Sequence, residues 1–192
     1  ELIEWCKEEG MDIDTIVPSD YDSVLGGASG AGLIFGNTGG VMEAALRTIY
    51  KIVEKRNPPE DFYQLKAIRG LTNRKVAEVS IGGVRIKVCV IYGTAEAEKF
   101  LQEDMSDYHF VEVMTCPGGC ISGAGQPDCG VTPVSDAVRQ KRIASLYEAD
   151  ARLPVRLSID NPEIADIYSE FLKEPLSPLS ELLLHTTYGE KK

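Results

Sequence analysis

Residues 114–127 read MTCPGGCISGAGQP, and the fold and its chemistry both turn on how this stretch is understood. Cys116 and Cys120 stand three residues apart, and four of the ten residues 117–126 are glycine. The stretch brings two thiols together where the backbone has been stripped of side chains. Glycine there permits positive φ and close approach of the backbone to whatever the thiols hold.

Thiolates bind zinc, copper and iron–sulfur clusters, and ligand spacing separates these options. A structural zinc site usually adds a second Cys-x2–4-Cys knuckle or a pair of histidines. Neither His109 nor His185 lies just downstream. A redox pair of the thioredoxin kind has two intervening residues rather than three. A radical-SAM pattern would need a third cysteine where Gly123 stands. Two readings stay open on spacing alone: half of an iron–sulfur ligand set, or a tight turn with two buried, inert cysteines.

Working outward, Phe110–Met114 reads as a strand that delivers the chain into this loop. Val76–Ile81 and Val84–Ile91 alternate and meet at Gly82-Gly83, which predicts a β-hairpin. Residues 25–40, LGGASGAGLIFGNTGG, read as a glycine-rich loop that opens a helix over Val41–Glu54, closed before Pro58-Pro59. Further helices are expected over 1–10, 94–103, 134–149, 161–172 and 176–185. The order predicts an α/β fold, a small sheet flanked by helices with a helical C-terminal tail, in one domain over 1–192. Glu1 is not an ordinary translation start, so the chain is expected to be the back part of a longer protein.

Composition narrows the function. A net charge of −10 argues against nucleic acid or an anionic membrane as partner, because phosphate binding is dominated by Lys and Arg. The apolar runs, such as Val88–Tyr92, are too short to span a bilayer. Five cysteines in 192 residues lack the density of a disulfide scaffold, which points to a reducing cytoplasm. A dinucleotide-binding loop on Gly30-Ala-Gly32 and Gly36 is the competing reading, without an evident strand before it or acidic ribose partner after it.

The stretch 114–127 resembles the third cluster-binding signature of the iron-only (FeFe) hydrogenases, Met-x-Cys-x-x-Gly-Cys followed by glycines and Gln-Pro. FGNTGGVMEAALRT (35–48) is similar to the family's Phe-Gly-x-Thr-Gly-Gly-Val-Met-Glu-Ala-Ala-Leu-Arg-Thr, and EFLKEPLSPLSELLLHTTY (170–188) resembles its C-terminal helical segment. The likeness runs in order along nearly the whole chain and implies the C-terminal lobe of the catalytic domain, with the N-terminal half absent. It implies reversible oxidation of H2 to protons and electrons at a 4Fe–4S cubane linked to a di-iron subcluster carrying CO and CN ligands. Cys116 and Cys120 would ligate the cubane, Cys120 as the bridging thiolate. Met114 and Phe35 would pack against the di-iron unit. Gly39 and Gly40 would offer N–H groups to its anionic ligands.

The departures matter as well. The family's first two signatures, with the other two cubane cysteines, a proton-relay cysteine and a CN-binding lysine, are not present. Ser122 and Ala124 stand where many active members have glycine or another small residue. Cys89 reads as a buried small hydrophobe, Met42 as core, and Cys129 as an exposed thiol or a stray ligand. The resemblance therefore implies a fragment that binds no cofactor alone and is inactive alone. Its partners would be the missing half of the chain and a ferredoxin-like electron carrier. Homodimers are expected through Leu33, Ile34, Phe35, Met114 and Ile121. A sensory or cluster-assembly relative of the hydrogenases is the alternative within the same likeness.

Overall fold

The hairpin organises the molecule. β1 (Arg74–Ile81) and β2 (Val84–Tyr92) pair antiparallel, and Gly82 and Gly83 take φ of +60° and +76°, the left-handed pair that a two-residue turn matched to strand twist requires. The computed structural model describes residues 1–20, 22, 25–128, 130, 133–186 and 189, so Cys129 lies outside the described residues. After β2 the chain crosses through helix Thr94–Phe100 and returns as Phe110–Met114, which pairs parallel to β2. The sheet order is β1, β2 and then this last strand, β3.

Numbered in chain order, the helices are α1 (Leu2–Glu8), α2 (Gly30–Ile34), α3 (Gly40–Glu54), α4 (Thr94–Phe100), α5 (Asp136–Arg152), α6 (Pro162–Ile167) and α7 (Pro178–Leu184). The second half of β2, Val88–Tyr92, is buried on both faces, which is why it reads as an unbroken apolar run after the alternating first half. On one face Val88 and Val90 join Met42, Leu46 and Tyr50 of α3, together with Phe62, Ile68 and Ile81. On the other, Cys89 and Ile91 meet Phe100 of α4. Met42, Leu46 and Tyr50 fall at i, i+4 and i+8, so one stripe of α3 supplies the contact. Each such side chain contributes about 1.5–3 kcal/mol on full burial. The expected roles of Met42 and Cys89 as core residues are met, both being fully buried.

Two helix starts follow the local rule that a capping side chain precedes proline at the first helical position. Asn161 accepts from the Glu163 N–H ahead of α6, and Ser177 accepts from the Ser180 N–H ahead of α7. The helix expected over 161–172 changes character at its end, where Tyr168–Leu172 forms a π-helical turn. The loop expected over 25–40 also contains more structure than its glycines suggest. Ser29 caps α2 by accepting from the Gly32 N–H, and the Gly30 and Ala31 N–H groups donate to the Val155 and Arg156 carbonyls. Docking against residues 150–156 holds a glycine-rich helix that propensity alone would leave open. No helix among the described residues is long and apolar enough to cross a membrane.

Candidate metal centre

β3 ends at Met114, and the chain enters the cysteine loop directly. Gly118 and Gly119 have φ of +82° and +101°, and the Gly119 N–H closes back on the Cys116 carbonyl. A short 3-10 turn, Cys120–Ser122, follows. Cys116 is half-buried and Cys120 exposed. The expectation of two inert buried thiols therefore does not describe this loop. A cleft of about 480 Å³ opens beside Cys120, walled by Leu33, Ile121, Leu146 and Arg142 among others.

The loop rests on the turn that joins α2 to α3. Thr38 N–H donates to Gly118 O at 2.9 Å, and Ile121 N–H donates to Gly36 O at 3.2 Å. A Cβ at Gly119 would lie 2.6 Å from Gly36 O and 2.7 Å from Thr38 N, so the two backbones touch where glycine alone fits. Asn37 fastens the same turn to α5, its Nδ2 donating to Ile143 O at 3.3 Å. From α5, Arg139 Nε donates to Ser122 Oγ at 3.2 Å and Arg142 Nη1 to Ile121 O at 2.7 Å. The motifs at 35–48 and 114–127 thus form one unit. Phe35, at the end of α2, is 46% exposed, and Met114 is half-buried.

Gly39 and Gly40 do something other than what their sequence suggests. Glu112 of β3 accepts from the Gly39 N–H at 2.6 Å and from the Met42 N–H at 2.7 Å, while the Gly40 N–H donates to Asn37 O at 2.9 Å. The Gly39, Gly40 and Met42 amides are thus taken by the protein itself and are not offered outward. These glycines serve close packing instead. Cβ atoms at Gly39 and Gly40 would fall 2.2 Å from Ile68 O and 1.6 Å from Ile34 O. Gly30 likewise gives no phosphate cradle, since its missing Cβ would sit 2.0 Å from the Asp150 carboxylate. Ile34 and Ile121, expected on an open face, are buried within the chain at 0% and 6% exposure.

Sequence reasoning missed the charges beneath the site. Arg47 is fully buried and pairs with Glu43 at 2.7 Å and with Asp150 at 2.8 Å; Arg69 reaches Glu43 and Arg156 reaches Asp150. Lys75 and Glu112, each 6% exposed, occupy β1 and β3 on either side of Val90 in one row across the sheet. The only available signal was the Glu43/Arg47 spacing of i, i+4 beside an apolar stripe, which usually marks a solvated pair.

Burial pulls the Lys75 ammonium down to about 8, although the Glu112 carboxylate opposes the shift. Tyr92, the other titratable neighbour, has its ring centroid 5.9 Å away, and burial pushes its hydroxyl above its ordinary value. The lysine value in the fold lies below its ordinary 10.5, so the buried cation costs stability below pH 8. That cost fades as pH rises from about 8 to 10.5, at roughly 1.4 kcal/mol per unit. Denaturant melts of the parent and Lys75→Met should show the parent gaining on the variant across this window. Parallel curves would mean that Lys75 titrates as a free lysine.

The family described as "Iron only hydrogenase large subunit, C-terminal domain" matches residues 1–124. The chain belongs to the iron-only hydrogenase large-subunit family. A second description, "Iron hydrogenase small subunit", matches residues 136–191, beginning where α5 begins. The chain is 38% identical to the NADP-reducing hydrogenase subunit HndD of Solidesulfovibrio fructosivorans, over 100% of this chain and 32% of that protein. Iron hydrogenase 1 of Clostridium pasteurianum is 35% identical, over 98% of this chain and 33% of its own length. A solved structure of [FeFe]-hydrogenase HydA1 from Chlamydomonas reinhardtii superposes with a TM-score of 0.74 at 31% identity, covering 98% of this chain and 53% of that one. This chain thus spans about a third of the length of those two curated relatives and about half of that solved chain. The expected α/β fold with a small sheet is the one this chain adopts.

Two soft thiols in one glycine-lined loop suit two positions on a cluster. Among the described residues there is no group of three or more His, Cys, Asp or Glu that could close a cage. The fit is to half of a ligand set.

Proposed function

We propose that this chain is part of an enzyme that reversibly oxidises H2 to protons and electrons, passing the electrons to a ferredoxin-like carrier. Cys116 and Cys120 would hold two cluster positions, with Cys120 the thiolate that would also serve a di-iron unit. The single observation that carries the reading is the seating of the cysteine loop on the 36–40 turn, which joins the two hydrogenase motifs through backbone hydrogen bonds. When bound, the cluster and its di-iron partner would supply the redox chemistry. The chain's own residues would hold and shield: Cys120 is exposed, Phe35 offers an exposed aromatic ring at the end of α2, and the half-buried Met114 thioether adds an apolar, polarizable surface.

The remaining ligands would come from the part of the protein that the relatives have and this chain does not span. By itself the chain should therefore evolve no hydrogen from reduced viologen. The cluster-assembly reading stays as the second one, because the "Cytosolic Fe-S cluster assembly factor narfl" of Danio rerio is 27% identical over 98% of this chain. The two hydrogenase relatives named above stand higher, at 38% and 35%.

Infrared spectroscopy on the intact protein tests the proposal. Bands of bound CO and CN are expected. Cys120→Ser should lose them along with cubane iron, whereas Cys116→Ser should weaken the cubane while part of the CO and CN signal persists. Iron and sulfide without CO or CN bands would favour the assembly reading. Bands that survive Cys120→Ser but vanish in Cys116→Ser would exchange the two roles.

A further inference from the structure

Lys75 and Glu112 are a buried cation and a buried anion on the α3 face of the sheet, separated by Val90. They form no direct ion pair among the described contacts; each is directed to the same turn instead. Lys75 Nζ donates to Thr38 Oγ1 at 3.1 Å and to Gly70 O at 3.0 Å. Glu112 accepts from Gly39 and Met42, one carboxylate oxygen each. The turn between those contacts carries the Thr38 N–H that holds Gly118 O and the Gly36 O that receives Ile121 N–H. A side chain on each outer strand thus grips the underside of the turn whose upper side seats the cysteine loop.

Charged groups are costly in such a place, since each loses its hydration. Glu112 recovers it in the two amides of the α3 N-terminus, where the helix dipole also favours an anion. Lys75 has only a hydroxyl and a carbonyl, no carboxylate at contact distance, and remains the more poorly satisfied of the two. A fold needing only to fill this space would do as well with apolar residues of similar volume. The shared feature of the two charges is that both end on residues 38–42.

We propose that Lys75 and Glu112 act together as positioning residues for the cysteine loop, fixing the 36–40 turn from below so that Cys116 and Cys120 are held in ligand geometry. The assignment rests on the iron–sulfur reading above. The pair touches neither cysteine and acts through Thr38, Gly39 and the backbone contacts to Gly118 and Gly119. Its removal should leave the sheet and α3 in place but loosen the loop.

The test uses the intact protein isolated with its clusters, as parent, Lys75→Met, Glu112→Gln and Thr38→Val. Thr38→Val removes the hydroxyl that Lys75 holds and leaves every buried charge in place, so it answers even if a charge variant fails to fold. Iron per protein, the electron paramagnetic resonance spectrum of the reduced cluster and thermal unfolding of the iron-free form are read together. The expected result is a several-fold lower iron content in Lys75→Met and Glu112→Gln, a smaller loss in Thr38→Val, and an altered spectrum for the cluster that remains. Variants with lower unfolding temperature but full iron and the parent's spectrum would overturn the assignment, showing that the pair serves the fold alone. A parent that holds no iron–sulfur cluster would overturn the reading beneath it instead.

Discussion

Arg47→Met is expected to destabilise the fold by about 3–5 kcal/mol, the usual cost of removing one partner from a buried ion pair. Arg47 is fully buried and donates to Glu43, and through two nitrogen–oxygen contacts to Asp150, at 2.7–2.9 Å. Its loss leaves two carboxylates in the interior, with Arg69 and Arg156 as partial compensation. The variant should also respond differently to acid. Burial alone would raise the Asp150 carboxyl, but hydrogen bonds from Arg47 and Arg156 outweigh it and hold the group below its ordinary 3.8. A depressed carboxyl contributes stability that is present above its unfolded value and lost as pH falls through its folded one. Parent stability should therefore decline below about pH 4 more steeply than that of Arg47→Met. Denaturant unfolding at neutral and acid pH would settle both points. A neutral-pH loss under about 1 kcal/mol would mean that the hole refills with water or that the acids become protonated at little cost.

Because Asp150 belongs to the region matched by the small-subunit description and Arg47 to the large, this pair also joins the two parts of the chain. The variant's loss should appear in one cooperative transition. Two separate transitions would show that the parts fold independently.

The second large effect is expected at Gly119. Its φ of +101° and ψ of −164° lie in a region nearly reserved for glycine, and a non-glycine residue there costs on the order of 1–3 kcal/mol. The added Cβ also meets backbone atoms of the 36–38 turn, not the far end of a flexible side chain. Relief requires the cysteine loop to lift from its seat, breaking the contacts of Gly118 O and Ile121 N–H. In the intact protein, Gly119→Ala should lose most cluster iron while the iron-free form stays folded, as judged by circular dichroism. Gly83→Ala is the control, with positive φ of +76° but nothing within 4 Å of the added atom, and should keep its iron. Equal iron in both variants would show that close approach at Gly119 is dispensable.

The hairpin, the α3 helix with Met42 in the core, and the pairing of Cys116 with Cys120 in one glycine loop could be read directly from residue order. Each is decided within a few residues: alternation and a Gly-Gly turn, a run of strong helix formers, or two cysteines three residues apart among glycines. The two family motifs were legible for the same reason, being continuous. What only the tertiary structure decided involves partners far apart in the chain. α2 exists because the Val155 and Arg156 carbonyls receive its first amides, and Gly39 and Gly40 look inward because Glu112, some seventy residues on, takes the amides of Gly39 and Met42. Arg47 is an interior cation because Asp150 lies against it from 103 residues away, and Lys75 is one because the 38–42 turn closes over it. A charge enters the core only where its lost hydration is replaced, and the groups that replace it are brought there by the fold and not by neighbouring sequence.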